Sequence, residues 1–399
     1  MLHRRRLFEA AGGVLFASAA PQVAAAASTV TLPFENGLRP LVKYPGKRPL
    51  IRLTARPPQL ETPFAVFDQG ALTPNDAFFV RYHLAGLPTS IDGDAHRVTI
   101  QGAVDKPLTL SLKDLKTAFE PTEIVAVLQC SGNSRGFSDP RVGGGQLGNG
   151  AMGNARWKGV PLSSVLKRAG VKKTARQVTF DGVDEPVFEK TPDFVKALDI
   201  DHALNGEVLI AYAMNGADLP FLNGFPVRLI VPGYFGTYWV KHLTAMTVVD
   251  KIFDGFWMKT AYRVPDNECH CVPPGTKPPA TVPISRMPVR SFITNVHDGA
   301  RVKAGKFALK GVAFDGGDGI ADVFVSLDGK RTWQKAALGP DLGKYSFREW
   351  RFTAPLKRGK HELAVRAVNR TGQTQPDAAT WNPAGYMRNV IETTRVTAR

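Results

Sequence analysis

Cysteine is scarce in this chain, with three among 399 residues, and that scarcity rules out a scaffold built on disulfides. Two of the three flank a histidine in Cys269-His270-Cys271. Donors on consecutive residues cannot close a tetrahedral metal site without further ligands, so a local disulfide or two ordinary thiols is the expectation there. The pattern Cys-x-x-Cys-His is absent, which excludes a covalently attached haem in this chain. No apolar run is long enough to span a bilayer, the stretch from Ala10 to Ala20 being too short and too weakly apolar. Zinc-finger patterns, RNA-recognition motifs and concentrated Lys/Arg helices are missing, which sets nucleic acid aside as a partner. The glycine-rich stretch from Gly143 to Gly150 lacks the Gly-Lys-Ser/Thr ending of a phosphate loop and reads as a flexible surface loop. Neither a charge block nor a low-complexity tract points to wholesale disorder.

What is present is a basic chain with room for two or three domains, each with its own core. Its net charge of +16 suits an anionic small substrate or an acidic partner. Residues 1–27 read as an export signal: Arg4-Arg5-Arg6-Leu7-Phe8 leads an alanine-rich run that ends in Ala25-Ala26-Ala27 before Ser28. The paired arginines are of the twin-arginine type, a route that carries folded proteins, and a soluble periplasmic protein is expected. That segment holds three arginines and one glutamate, so the net charge without it is +14. Residues 28–75, rich in proline and polar turns, read as an extended arm with little regular structure. Ser111 to Phe119 reads as a short helix capped by Ser111 with Asp114 at its third position, and Leu162 to Ala169 as another stopped by Gly170. Val272 to Pro279 reads as a linker stiffened by proline. Beyond Ile284 the pattern turns all-β, with strands at Phe307 to Phe314, Ile320 to Leu327 and Glu362 to Asn369 and a hairpin signal at Asp328-Gly329. Strands at this spacing predict an immunoglobulin-like sandwich of about 100 residues.

Three places carry chemistry. Cys130 ends the apolar run from Ile124 to Leu128, within Leu128-Gln129-Cys130-Ser131-Gly132-Asn133-Ser134-Arg135-Gly136. The run reads as a short buried strand and the glycines as the turn after it. One sulfur at a strand end beside a fixed positive charge suits the thiolate, the form that attacks electrophiles or binds a soft metal; an inert core cysteine is the plainer alternative. From Phe78 to Leu84, alternation puts Phe79, Arg81 and His83 on one face and Phe78, Val80, Tyr82 and Leu84 on the other. Arg228 interrupts the apolar run after Pro226, and a buried arginine requires an anion, supplied by a bound group or by a nearby carboxylate.

The segment from Leu128 to Arg135 resembles the metal-ligand segment of the sulfite oxidase family of molybdenum enzymes, Leu-Gln-Cys-(Ala/Ser)-Gly-Asn-x-Arg. Further stretches follow in the family's order: Arg81-Tyr82-His83, Trp157-Lys158-Gly159, Gly224-Phe225-Pro226-Val227-Arg228, Gly236 to Lys241, and Phe256 to Arg263. The resemblance covers nearly all of the chain after residue 27. It implies a molybdenum-molybdopterin cofactor, with Cys130 as the protein's metal ligand. It gives catalytic or substrate-facing roles to Arg81, His83, Arg135 and Tyr262. Cofactor contacts fall to Phe79, Arg81, Tyr82, His83, Asp184, Asn223, Arg228, Lys241 and the backbone of Tyr238, Trp239 and Val240. There are departures from the vertebrate members: Tyr82 replaces an asparagine, Asn223 a histidine, and Ala384 an arginine that reaches the active site, a role open here to Arg388.

The fold class expected is α+β: a mixed α/β molybdopterin-binding domain over 76–271, a linker over 272–283, and an immunoglobulin-like β-sandwich over 284–399 through which the chain forms a homodimer. The implied activity is oxidation of sulfite to sulfate by oxo transfer. Electrons would leave to a separate c-type cytochrome, since this chain has neither room nor motif for a haem. Rivals on the same fold are a sulfane dehydrogenase acting on protein-bound sulfur and a sulfoxide reductase. From a different class, the rival is a non-catalytic basic dimer that binds anions or a partner.

Overall fold

The structure, a computed structural model, describes residues 28–399; the expected export signal, residues 1–27, lies outside them. The described chain opens with an antiparallel meander in which Thr29–Thr31, Leu38–Val42, Leu50–Thr54, Gln59–Glu61 and Val80–Arg81 pair in that order. This corrects the reading of residues 28–75 as an irregular arm. Pro45, Pro57 and Pro58 sit in the turns of the meander, where proline ends short strands without preventing them. Leu50, Leu60, Val80 and Tyr82 give it a small core of its own.

Two larger sheets form the body. One is mixed, in the order Lys196–Asp199, Gln177–Asp181, Ala245–Val249, Arg97–Gly102 and Leu108–Ser111, with Ala245–Val249 and Arg97–Gly102 parallel. The other is antiparallel, in the order Ala217–Asp218, Leu209–Met214, Met152–Pro161 and Thr122–Gln129, with Arg228–Ile230 also paired to Leu209–Met214. Thr122–Gln129 is bonded to Met152–Pro161 along its whole length, and its side chains are buried from Val125 onward. The helix Leu112–Thr117 starts with a reciprocal Ser111–Asp114 capping box. Leu162–Ala169 ends at Gly170, where φ is +72° and a Cβ would meet Asp105 Oδ2 at 2.7 Å.

The C-terminal part is a two-sheet sandwich. Arg290–Ile293, Gly305–Phe314, Arg348–Leu356 and Ala337–Leu338 form one sheet; Ala300–Val302, Thr393–Ala398, Gly359–Asn369, Ile320–Ser326 and Gln334–Lys335 form the other. The linker is shorter than the expected 272–283, because Thr281–Pro283 pairs with Arg263–Pro265. The body's apolar core continues into the sandwich through Phe292, Phe314, Tyr345 and Phe347. Phe64 meets Phe292 edge-on, and Phe67 meets Phe347 likewise, so the two parts share packed surface. No helix among the described residues is long and apolar enough to cross a membrane.

Candidate active site

The strand Thr122–Gln129 delivers Cys130 to its place. The Cys130 N–H donates to the Ala151 carbonyl at 2.9 Å, which carries the ladder one residue further before the chain turns back. Asn133 N–H then donates to the Cys130 carbonyl at 3.0 Å, and Arg135 N–H to the Gly132 carbonyl at 3.0 Å. Ser134 takes φ +70° and Arg135–Phe137 form a single 3-10 turn. A Cβ at residue 132 would lie 3.0 Å from Arg135 Nη1, so the guanidinium packs close over the Gly132 backbone. The later part of the glycine-rich loop, expected to be a flexible surface segment, is packed beneath this turn. The Gly148 carbonyl accepts from Ser134 and the Leu147 carbonyl from Gly136, while the N–H groups of Gly148 and Gly150 donate to Glu61 Oε2 at 2.9 and 3.3 Å.

Cys130 lines a cavity in the body of the protein. Only Val80–Arg81 pairs as a strand in its segment, yet the predicted alternation places Phe79, Arg81 and His83 on the cavity wall. Asn223, Arg228, Trp239, Lys241 and Tyr262 line it too. So do Ser131, Thr237, Phe194, Leu128, Leu222 and Gly236, which the sequence reading did not single out. Ser131 and Thr237 occupy variable positions of otherwise matching segments, a weak signal. Phe194 left none, because its part is tertiary: its ring stacks on His83 with centroids 3.7 Å apart and planes 9° from parallel.

The wall is cationic. Arg81, Arg228 and Lys241 form no ion pair with a carboxylate among the described residues. Arg228 donates Nη1 to the Asn223 carbonyl at 2.7 Å and Nη2 to the Trp239 carbonyl at 3.0 Å, and burial pushes its pKa down to about 9. Lys241 donates to the Arg81 carbonyl at 2.8 Å, and burial, opposed by the charge of Asp184, pushes it down to about 7. His83 is held well below its ordinary range, first by burial and then by the charges of Arg81, Lys241 and Lys196. Its Nε2 shares a hydrogen bond with the Tyr262 hydroxyl, whose own pKa burial raises. Tyr262 has φ +57°, an uncommon conformation for a residue with a side chain and one that concentrates at functional sites.

Several expected residues stand elsewhere. Tyr82 points away from the cavity, its hydroxyl 2.6 Å from His242 Nε2, as the alternation of its segment requires. Asp184 is buried behind Lys241, near enough to oppose the loss of that ammonium's charge, but off the wall. The Tyr238 side chain turns away to donate to the Ile284 carbonyl at 2.6 Å. The carbonyls of Tyr238, Trp239 and Val240 accept from Val240, Arg228 and Leu229, so that stretch of backbone is bonded within the protein. The Asn223 amide is engaged as well, accepting from Lys47 Nζ and donating to the Phe79 carbonyl. Arg135 is beside the cavity without lining it. It donates Nε to the Ala384 carbonyl at 2.8 Å and lies 4.8 Å over the Tyr386 ring, which stacks on Tyr262. Arg388 does not replace the missing arginine, because Glu392 holds it at 3.2 Å. Cys269 and Cys271 are joined in a disulfide.

Whether the cofactor fits can be tested on what the cavity leaves unbonded. His83 Nδ1, Ser131 Oγ, Arg228 Nε and Thr237 Oγ1 are buried without a partner among the described residues, and all four side chains line this one cavity. Native proteins rarely strand so many polar groups together, and a polar, anionic group would satisfy them. Cys130 is the free thiol here, and no cluster of three His, Cys, Asp or Glu among the described residues could hold a metal alone. A cofactor that brings its own sulfur donors matches that set.

Comparison with known proteins agrees with this geometry. The oxidoreductase molybdopterin binding domain matches residues 84–257, and the Mo-co oxidoreductase dimerisation domain matches residues 281–398. Mitochondrial sulfite oxidase of Homo sapiens is 34% identical over 371 residues, 88% of this chain and 66% of that protein; the chain thus spans just under two thirds of its length. Sulfite oxidase of Gallus gallus is 33% identical over 365 residues, 87% of this chain and 78% of that protein. The sulfane dehydrogenase SoxCD from Paracoccus pantotrophus superposes with a TM-score of 0.73 at 26% identity, covering 86% of this chain and 85% of that one. With its cysteine strand, cationic cavity and C-terminal sandwich, this chain belongs to the sulfite oxidase family of molybdenum-molybdopterin oxidoreductases.

Proposed function

We propose that the protein oxidises sulfite to sulfate in the periplasm and hands the electrons to a c-type cytochrome, working as a homodimer paired through its sandwich. The observation that carries this is the convergence of unpaired cations and unbonded polar atoms around Cys130. Cys130 would hold the molybdenum, with Arg228, Lys241, Ser131 and Thr237 holding the rest of the cofactor. Once bound, the cofactor supplies two-electron oxygen-atom transfer, which no side chain can perform. The chain's own part is to bind and orient. Arg81, on the cavity wall, offers a planar fork suited to an oxyanion. Neutral His83 fixes the Tyr262 hydroxyl, which stays protonated at neutral pH and can donate to a reacting oxygen. Release of the electrons one at a time calls for a one-electron acceptor, the role proposed for the c-type cytochrome. The export-type pattern of residues 1–27 supports the location.

The deciding assay is metal content with sulfite-dependent cytochrome c reduction on purified protein. About one molybdenum per chain and sustained turnover are expected; metal-loaded protein that leaves sulfite untouched would overturn the reading. A second reading, dehydrogenation of protein-bound sulfane sulfur, draws on the likeness to SoxCD and on Ala384, which presents no arginine side chain beside Arg135. Turnover of a protein persulfide in preference to free sulfite would favour it.

A further inference from the structure

A polar cluster lies where the sandwich meets the Cys130 turn. Arg290, the first residue of the sandwich strand Arg290–Ile293, is 1% exposed. Its Nη2 donates to the Ser134 hydroxyl at 2.7 Å and to Asn149 Oδ1 at 3.3 Å. Ser134 immediately precedes the one-turn helix Arg135–Phe137. At the other end of that helix, Arg388 donates Nη1 to the Phe137 carbonyl at 3.3 Å. Glu392 stands between the two arginines, 3.7 Å from Arg290 Nη2 and 3.2 Å from Arg388 Nη2. One carboxylate from the sandwich therefore ties together two cations that grip both ends of the turn bearing Arg135.

A turn of three residues has almost no stability of its own, so its orientation depends on what holds it. Arg290 is an expensive clamp, with Nε and Nη1 unbonded among the described residues. Pairing with dimer partners does not call for a buried arginine aimed at the neighbouring domain. What this clamp fixes is the start of a line of contacts: Arg135 lies over Tyr386, and Tyr386 stacks on Tyr262 with centroids 5.6 Å apart.

We infer that Glu392, acting through Arg290 and Arg388, is a positioning residue for the Arg135 turn and, through the contacts of Arg135 with Tyr386 and of Tyr386 with Tyr262 on the cavity wall, that the sandwich sets the affinity of the active site for its anion as well as serving dimerisation. The inference rests on the sulfite reading only for the identity of that anion.

The test compares loaded wild-type enzyme with Glu392→Gln, Glu392→Asp and Arg388→Met. Measured quantities are kcat and KM for sulfite, Kd for sulfate by calorimetry, molybdenum per chain, dimer elution and Tm. Glu392→Gln should raise KM and the sulfate Kd together by about tenfold, with kcat within about twofold and with metal content and dimer elution unchanged. Glu392→Asp should restore most of the affinity. Should Glu392→Gln fold poorly, Arg388→Met, which keeps the Arg290–Glu392 pair, is expected to shift Kd the same way. Unchanged KM and sulfate Kd in a folded variant would overturn the inference even if Tm fell, since that marks a merely structural role. If the wild type fails to oxidise sulfite, the functional reading falls, and the sulfate Kd still decides this one.

Discussion

Arg228 keeps a guanidinium out of water with one donor unbonded and no carboxylate beside it. An unpaired buried charge costs several kcal/mol, and a bound anion offsets that cost. Arg228→Met should therefore lower the molybdenum retained per chain after purification by about tenfold. The cofactor-free protein should stay within about 1 kcal/mol of wild type, because the hydrogen bonds lost to Asn223 and Trp239 offset the charge removed. Metal analysis and urea unfolding check both halves, and full metal content in the variant would remove Arg228 from the cofactor site. Cys130→Ser replaces a soft donor by a hard one of nearly the same size. Activity should fall at least ~100-fold with the circular dichroism spectrum unchanged, and retained turnover would refute the ligand role.

At the scale of elements, the glycine-rich loop is held by one carboxylate. Glu61 accepts from Gly148 and Gly150, and burial raises its pKa from 4.5 to about 7 against the effect of those two N–H groups. Between these values the folded chain binds a proton that the unfolded chain has released. Its contribution to stability is therefore complete below about pH 4.5 and is lost as the pH rises through 7. Glu61→Gln keeps an oxygen for the glycine donors and cannot titrate. Relative to that variant, the wild type should lose on the order of 2 kcal/mol between pH 5 and pH 8, measured by urea unfolding; parallel pH profiles would assign the clamp no titration. This loop also marks how far the sequence could be read. The cysteine strand, the alternation around Arg81, both capped helices and the sandwich are local patterns, and each was legible in its own segment. The meander strands over residues 29–61 were missed because they run only three to five residues before a proline turn, too short for alternation to show. The loop was misread because what orders it is Glu61, far away in sequence, and Arg135 was aimed wrongly because its partners, Ala384 and Tyr386, come from another domain.

For the molecule as a whole, charge and packing set two ranges of action. Apolar and aromatic contacts between body and sandwich work at van der Waals distance and are indifferent to salt. The excess of 51 basic over 35 acidic residues works at the Debye length, about 30 Å at 0.01 M salt and about 8 Å at 0.15 M. A doubly charged anion should thus be drawn toward the protein at low salt by the whole surface, and at physiological salt only by the cations next to the cavity. Arg228 and Lys241 are buried and little screened, so binding within the cavity should hardly respond. The two ranges separate in kinetics. With electron acceptor kept saturating, kcat/KM for sulfite should fall roughly three- to tenfold between about 10 and 200 mM salt, with kcat nearly constant. If kcat/KM is flat, the net charge does not steer substrate, and affinity is set entirely by groups within a few ångströms of Cys130. If kcat falls as well, salt is acting on a step after substrate binding, and Glu392→Gln, whose kcat should stay within about twofold of wild type, should show the same fall.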